Sequence, residues 1–348
     1  MSSQTTDLAL SRTAGELMPL RIDAAARRAA DRLAQSRSSV IGIFTLVLLA
    51  ILWGGILAQI GAEREAVAEA ARRDNANLAR ALAEQSLRGI KGADHIAMFV
   101  KRQLEAADRR LDVGEFARGG LLDGQLAREI AHIDETGVLR SGSIGPMAAT
   151  AWADSEHFRA HALRDRGALH VGKPAAGRDP ATWRVQLSRR VNKPDGAFGG
   201  IVLVGIDPQC FSTNYADIEL GAGGVAALLG TDGVVRAGHG WQALSVGQDL
   251  SGSVLDTHLQ VGDAGSLRAA TAGEAVARHL SYRKLAGYPL AVVVGRTDAE
   301  VFAQMRSREL RYLLWAAGAS LALLLLAAVA ACLARGLNAP ARDAGTGE

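Results

Sequence analysis

The sequence predicts an α+β chain in which a long N-terminal helix leads into two tandem antiparallel-sheet modules, the whole flanked by two membrane-spanning helices. Three observations predict it. Uncharged apolar runs occupy residues 40–60 and 313–333; residues 61–111 contain no proline and are rich in Ala, Leu, Glu and Arg; and one strand-turn-strand pattern occurs twice in between.

Size and composition agree with that layout. The chain has 348 residues, enough for about two domains and two anchors, and 49% of them are hydrophobic against 22% charged, so a globular core can form. The 39 Lys and Arg nearly balance 36 Asp and Glu for a net charge of +3, which gives no footprint for nucleic acid. Of the two cysteines, Cys332 lies in the second apolar run and leaves Cys210 alone, so a disulfide scaffold and a cysteine zinc site are excluded.

Each apolar run is about twenty residues, and at about 1.5 Å rise per residue it matches a hydrocarbon core of about 30 Å. A cleaved signal peptide is the competing reading of the first. Its 39 preceding residues exceed an ordinary n-region and no clear A-x-A site follows, which favours an uncleaved anchor. Arginines flank the first run on both sides (Arg27, Arg28, Arg32 and Arg37 before it, Arg64, Arg72 and Arg73 after it), so the positive-inside rule does not orient it. Beyond the first run, Leu78, Leu82, Leu87, Ile90, Ile96 and Val100 recur near a helical period and predict one long stalk helix with an apolar stripe.

After Gly119 the pattern shifts to short runs broken by glycine. HIDETGVLRSG (132–142) aligns without gaps to LLGTDGVVRAG (228–238), matching Gly137 with Gly233, Arg140 with Arg236 and Gly142 with Gly238. Each copy reads as a β-hairpin. WRVQLSRRVNKPDGAFGGIVLVGID (183–207) likewise resembles VARHLSYRKLAGYPLAVVVGRTD (276–298), each with a strand ending in Ser-x-Arg and a later β-branched strand closing on Asp. Two matched pairs in one order predict duplicated modules. A final helix at 298–311 is expected, with Asp298 as N-cap and Glu300 in its first turn.

The predicted boundaries are a tail at 1–39, a first span at 40–60, a stalk helix at 61–111, a membrane-distal module at 112–212, a membrane-proximal module at 213–299, a juxtamembrane helix at 300–312, a second span at 313–333 and a short tail at 334–348.

Three stretches carry a family resemblance: NANLARALAEQSLRGIKGADHIAMFVKRQLE, SEHFRAHALRDRGALHVGKPAAGRDPATWRVQLSRRVNKPDGAFGGIVLVGIDPQCF and SYRKLAGYPLAVVVGRTD. Over residues 62–300 the chain resembles the double Cache (dCache, PDC-like) sensor region of bacterial membrane receptors, especially diguanylate cyclases and histidine kinases. The resemblance implies two PAS-like modules in the periplasm, a two-pass inner-membrane anchor, and a small-molecule ligand in the membrane-distal module. Family members generally continue past the second span into an output domain. No GGDEF-type, kinase or methyl-accepting segment is found here, so signalling is expected to need a partner: a separate kinase or cyclase, or a second copy in a homodimer, met laterally in the lipid bilayer. The small residues Ala316, Ser320, Ala327 and Ala331 would permit such close approach. A receptor remnant without signalling of its own is the alternative reading.

Arg159, His161, Arg164 and Arg166 crowd one segment, and Arg178, Arg184, Arg189 and Arg190 surround the strand after Trp183. Guanidinium groups gathered in a concave site would bind a carboxylate or another anion bidentately. Only five of the 39 basic residues are lysine, so some of this arginine is compositional. In a strand, Trp183, Val185, Leu187 and Arg189 share one face, while Arg184, Gln186, Ser188 and Arg190 share the other. Trp183 is either a pocket wall or a core aromatic, and Asp207 either meets a ligand amine or caps the turn at Pro208. The expected ligand-binding set is therefore Arg159, His161, Arg178, Trp183, Ser188, Arg189 and Asp207. Amino-acid-binding members of the resembled family place an Arg two residues before a Trp-Tyr pair. Arg178 and Trp183 are too far apart for that and no Tyr follows, so the motif does not favour an α-amino acid.

His157 and His161 have a helical spacing that suits a metal, but no third ligand stands near them. No phosphate loop, nucleophile elbow or other catalytic motif occurs, so neither a cofactor nor an enzymatic activity is expected. The sequence thus reads as a membrane-anchored extracytoplasmic sensor that passes ligand binding through its spanning helices to a separate signalling partner.

Overall fold

The computed structural model describes residues 7–107, 110–121, 126–143, 152–176, 183–216, 218, 220–240, 244–270 and 276–336. They fall into two compact units, Ala66–Ala303 and the pair of segments Met1–Glu65 and Gln304–Glu348. Helix α1 runs Asp7–Ala106, so its helical conformation begins well before the first apolar run and ends five residues short of the expected stalk.

Short helix α2 (Val113–Phe116) follows, with Asp112 as its N-cap. Then come β1 (Ala127–Ile133), β2 (Leu139–Gly142), α3 (Glu156–Ala162), β3 (His170–Ala176), β4 (Trp183–Asn192) and β5 (Phe198–Ile206). The second module repeats the plan: α4 (Gln209–Ala216), β6 (Val225–Gly230), β7 (Val235–Gly240), α5 (Val254–Val261), β8 (Ala264–Ala270), β9 (Ala277–Lys284) and β10 (Leu290–Thr297). Helices α6 (Asp298–Val301) and α7 (Ala303–Gly336) close the chain.

The two antiparallel sheets have the same strand order, β2-β1-β5-β4-β3 and β7-β6-β10-β9-β8, so the sequence duplication is a structural one. Gly137 and Gly233 take φ of +83° and +80° at matched turn positions, conformations that glycine adopts without penalty. Arg140 and Arg236 each pair with a turn carboxylate, at 2.5 Å to Asp134 and 2.8 Å to Asp232. Those aspartates do not occupy aligned positions. Each module has therefore kept the ion pair while moving its acid by two places.

One face of both sheets packs on α1. Its apolar stripe, including Ala79, Leu82, Ile90, Ala93, Ala97, Val100 and Leu104, shares a core with Ile130, Val185, Leu187, Val202, Val204 and Ile206 of the first sheet and Ala226, Leu228, Val292 and Val294 of the second. The stripe needs no second copy of itself to be covered. Asp94 extends from it into the first sheet and accepts two bonds from Arg189, at 2.5 and 2.8 Å, and one from Tyr288 of the β9–β10 turn at 3.0 Å.

The helix expected at 298–311 is broken at Phe302 into α6 and α7, and the N-cap of α6 is Thr297, one residue before the expected Asp298. Thr297 ends β10 in extended conformation, and its hydroxyl accepts from Glu300 N, while the Glu300 carboxylate accepts from Thr297 N in a capping box. Asp298 is instead drawn to Arg268. Glu300 also takes a bond from Gly223 N at 2.6 Å, which ties the second sheet to this helix start. Glu300→Ala removes both functions and is expected to lower stability by about 2 kcal/mol in urea denaturation, with Glu300→Gln intermediate.

In the other unit, α1 and α7 each contain a stretch long and apolar enough to cross a membrane. Trp53 Nε1 donates to Ser320 Oγ at 3.1 Å, Ala316 is fully buried, and Arg64 pairs with Glu309 at 2.7 Å. The Ala316 and Ser320 positions, expected to serve a lateral partner, are thus taken up within this chain.

Candidate functional site

The outer faces of the two sheets, away from α1, differ in kind. In the second module the row Val225, Gly295, Leu280, Leu267 crosses four strands in register, and the next row continues with Ala227, Val293 and Tyr282. These side chains pack with Leu255 and Leu259 of α5 into a closed apolar core.

In the first module polar groups enter these rows. Ala131 pairs with Gly142 as Ala227 pairs with Gly238, which fixes the correspondence. The row Glu129, Gly205, Gln186 then stands where Val225, Gly295 and Leu280 stand in the second module, and Ala131, Leu203, Ser188, His170 stand beside it. Among the described residues, the buried apolar cluster on this face is Ala131, Ile133, Phe158, Ile201 and Leu203. In the second module Leu280 fills the space over Gly295; over Gly205 lies the Glu129 carboxylate.

Two polar groups flank that floor. At one end Arg184 reaches Glu129 at 3.4 Å and Asp207 at 4.0 Å, and Arg128 reaches Asp207 at 3.9 Å. Arg184 and Asp207 are each 17% exposed, yet their ion-pair contacts are long, and Arg184 gives its shorter bond, at 3.0 Å, to the Trp183 carbonyl. Asp207 Oδ1 also accepts from Gln209 N at 2.9 Å, which confirms its turn-capping role ahead of α4.

At the other end α3 is seated on the sheet through histidines. His157 Nδ1 lies 2.9 Å from Ser188 Oγ, and His161 Nε2 lies 3.0 Å from the Ser188 carbonyl and 3.1 Å from its hydroxyl. Ser188 is fully buried. His170 completes the group, with ring centroids 5.2 Å from His157 and 6.1 Å from His161, and its Nε2 is 3.2 Å from Glu156 without the alignment of a hydrogen bond. The His157 ring sits over Gly172, where a Cβ would overlap it. Burial, reinforced by His170 and His161, pushes His157 down to about 3. Burial also pushes His161 down to about 4 against the opposing bond from Ser188. These imidazoles are neutral hydrogen-bonding groups, and among the described residues no His, Cys, Asp and Glu cluster is arranged for a metal.

The structure brings His161, Ser188 and Asp207 of the sequence-predicted set to this one face. Arg189, adjacent to Ser188, points the other way into the Asp94 pair. Trp183 is 39% exposed at the start of β4, with its indole against Gly247 of the second module. Arg159 is exposed and donates to the Asp154 carbonyl at the start of its own helix. Arg178 lies outside the described residues. Arg190 crosses back to the His161 carbonyl at 2.6 Å and covers the Phe198 ring. The arginines are therefore divided between two faces rather than gathered in one. Glu129, Arg184 and Gln186 are the members that sequence reasoning left out. The strand alternation that put Arg184, Gln186 and Ser188 together was the available signal, and it lacked only the knowledge of which face α1 covers.

A groove of about 360 Å³ also exists in the second module, lined by Ile218, Leu220, the loop Gly221–Gly224 and His239. It bears none of the acid and base groups just described.

No family model matches the chain, and no curated protein matches it. Solved structures do. The extracellular domain of rpHK1S-Z16, described as a histidine kinase, is 30% identical with a TM-score of 0.60, and the match covers 66% of this chain and 95% of that one. The chain belongs to the double Cache family of sensor domains. Two more distant solved structures share the fold. The periplasmic sensory domain of the Campylobacter jejuni chemoreceptor Tlp1 is 13% identical, with a TM-score of 0.52 over 68% of this chain and 98% of that one. The ligand-binding domain of the Pseudomonas fluorescens chemoreceptor CtaA, solved with L-isoleucine, is 14% identical, with a TM-score of 0.50 over 70% of this chain and 98% of that one.

Proposed function

We propose that this chain is a membrane-anchored extracytoplasmic sensor whose membrane-distal module binds a small carboxylate that also carries a hydrogen-bond donor. The observation that carries this reading is the replacement of the apolar row Val225, Gly295, Leu280 by Glu129, Gly205, Gln186. A sheet face sealed in one copy of a duplicated module and polar in the other has been kept open to something other than protein. Arg184 supplies the fork for the ligand's carboxylate. Glu129 and the Oδ2 of Asp207, paired with Arg184 only at 3.4 and 4.0 Å, turn to the ligand's donor once Arg184 is engaged. Gln186 stands across Gly205 from Glu129, and His161 and Ser188 border the site through α3.

Transmission follows from placement on one strand. Ser188 and Arg189 are consecutive in β4, one bonded to α3 and the other to Asp94 of α1, so a ligand that shifts β4 changes the packing of the helix that continues into the first span. The signal is read across the inner membrane by a separate kinase or cyclase, or within a homodimer. The CtaA domain, solved with L-isoleucine, has a ligand of the same chemical type.

A thermal-shift screen of the full chain in detergent against hydroxy, keto and amino carboxylates tests the proposal. A compound at a hundred times its Kd stabilises the folded form by about 2.7 kcal/mol, a rise of several degrees. Arg184→Gln is expected to abolish the rise, and Arg159→Ala to leave it unchanged because that guanidinium is occupied at the start of its own helix. An Arg184→Gln protein that responds like wild type would overturn the site assignment.

A further inference from the structure

The histidine seat of α3 has a property that ligand binding does not use. His157, His161 and His170 meet within about 6 Å of one another, and the first two share one buried hydroxyl. Hydrogen-bond geometry fixes one proton: His161 Nε2 must carry the proton it gives to the Ser188 carbonyl, while His157 Nδ1 exchanges a single bond with Ser188 Oγ.

The surroundings offer little to a cation. From β4 the only charged neighbour is Arg190, itself a cation bonded to the His161 carbonyl. From β3 come His170 and the exposed Lys173. From β5 come Phe198 and Leu203, which are apolar. α3 itself brings Glu156, which is close to His170 only, and Arg159, which is turned to Asp154. The turn before α3 brings Asp154, which is exposed, and the segment after it brings Asp165, which is shared with Arg190 at 3.9 Å and Asn192 at 3.1 Å. His157 has no carboxylate partner among these.

We infer that the contact between α3 and the first sheet is a proton-sensitive latch, so that acid in the extracytoplasmic space releases α3 and acts as a second input beside the small molecule. The extracytoplasmic setting rests on the reading above; the latch rests on this geometry alone. The direction follows from linkage. Both rings have folded-state values below their unfolded value, so their contribution is fully present above about pH 6.5 and is lost as pH falls toward the folded values. Charged imidazoles are accommodated only where water reaches them, which requires α3 to lift.

Amide hydrogen exchange of the full chain in lipid nanodiscs tests this, following the peptide over α3 from about pH 7.5 to about pH 4.5 with intrinsic rates corrected. Protection of α3 is expected to fall at least about tenfold, with a slope of one to two protons per opening event, while β10 keeps its protection. A double variant, His157→Gln with His161→Gln, keeps bonding capacity toward Ser188 but removes titration, and should flatten the profile. Unchanged α3 protection in acid, a fall that β10 shares, or a fall that persists in the double variant would each overturn the latch. If the double variant does not fold, the wild-type slope decides, and a slope near zero overturns it. No ligand is added, so failure here leaves the carboxylate assignment standing.

Discussion

Arg189→Ala is expected to destabilise the Ala66–Ala303 unit by about 3–5 kcal/mol, the effect of leaving a buried carboxylate without its cation. Asp94 is 8% exposed, and Arg189 covers both of its oxygens while its third guanidinium nitrogen donates to the Gly167 carbonyl at 2.8 Å. After truncation only Tyr288 would still donate to Asp94. Burial and the Asp94 charge push that phenol up to about 12, so it stays a donor at any ordinary pH. Urea denaturation followed by tryptophan fluorescence should show the loss. A paired change, Arg189→Met with Asp94→Leu, should recover most of it because no uncompensated charge remains. An Arg189→Ala protein of wild-type stability that fails only to bind ligand would instead return Arg189 to the binding site.

Gly200→Ala is expected to be comparably severe, at about 3 kcal/mol or more. Gly200 holds φ at +113° in β5, and a Cβ there would overlap the Ile133 carbonyl oxygen and come within 2.9 Å of the Asp134 Cα, where backbone cannot yield. Gly196, four residues earlier at φ +81°, has open space around it, so Gly196→Ala should carry only the left-handed backbone penalty of about 1–2 kcal/mol. Thermal melts of the two purified variants separate strain from collision. Equal melting temperatures would contradict the close approach of β5 to the Ile133 turn.

What the sequence made legible was what repeats or is periodic. The hairpin match at Gly137 and Gly233 predicted paired modules, and the stripe from Leu78 to Val100 predicted the helix that covers both. Parity was illegible. The Ser-x-Arg match aligns Ser188 with Ser281, yet Ser188 faces α3 while Ser281 approaches the α1 backbone at Arg72, and Tyr282 holds the row equivalent to Ser188. A one-residue offset inverts every side chain of a strand, and a short local match cannot detect it. The same parity turns Arg189 to Asp94 of α1 and Arg184 to Glu129 on the outer face. The Thr297 cap was missed for a local reason: Asp298 is the stronger acid signal, but Arg268 and His279 hold it, and the capping box needs the Thr297–Glu300 spacing.

The most direct test of the sensor reading is a crystal structure of the Ala66–Ala303 unit with the compound that most raises its melting temperature. The account predicts density on the outer face of the first sheet, with a carboxylate within about 3.2 Å of the Arg184 guanidinium and a donor group facing Asp207 or Glu129. Density in the second-module groove beside Gly221–Gly224, with the Glu129, Gly205, Gln186 floor unchanged, would contradict it.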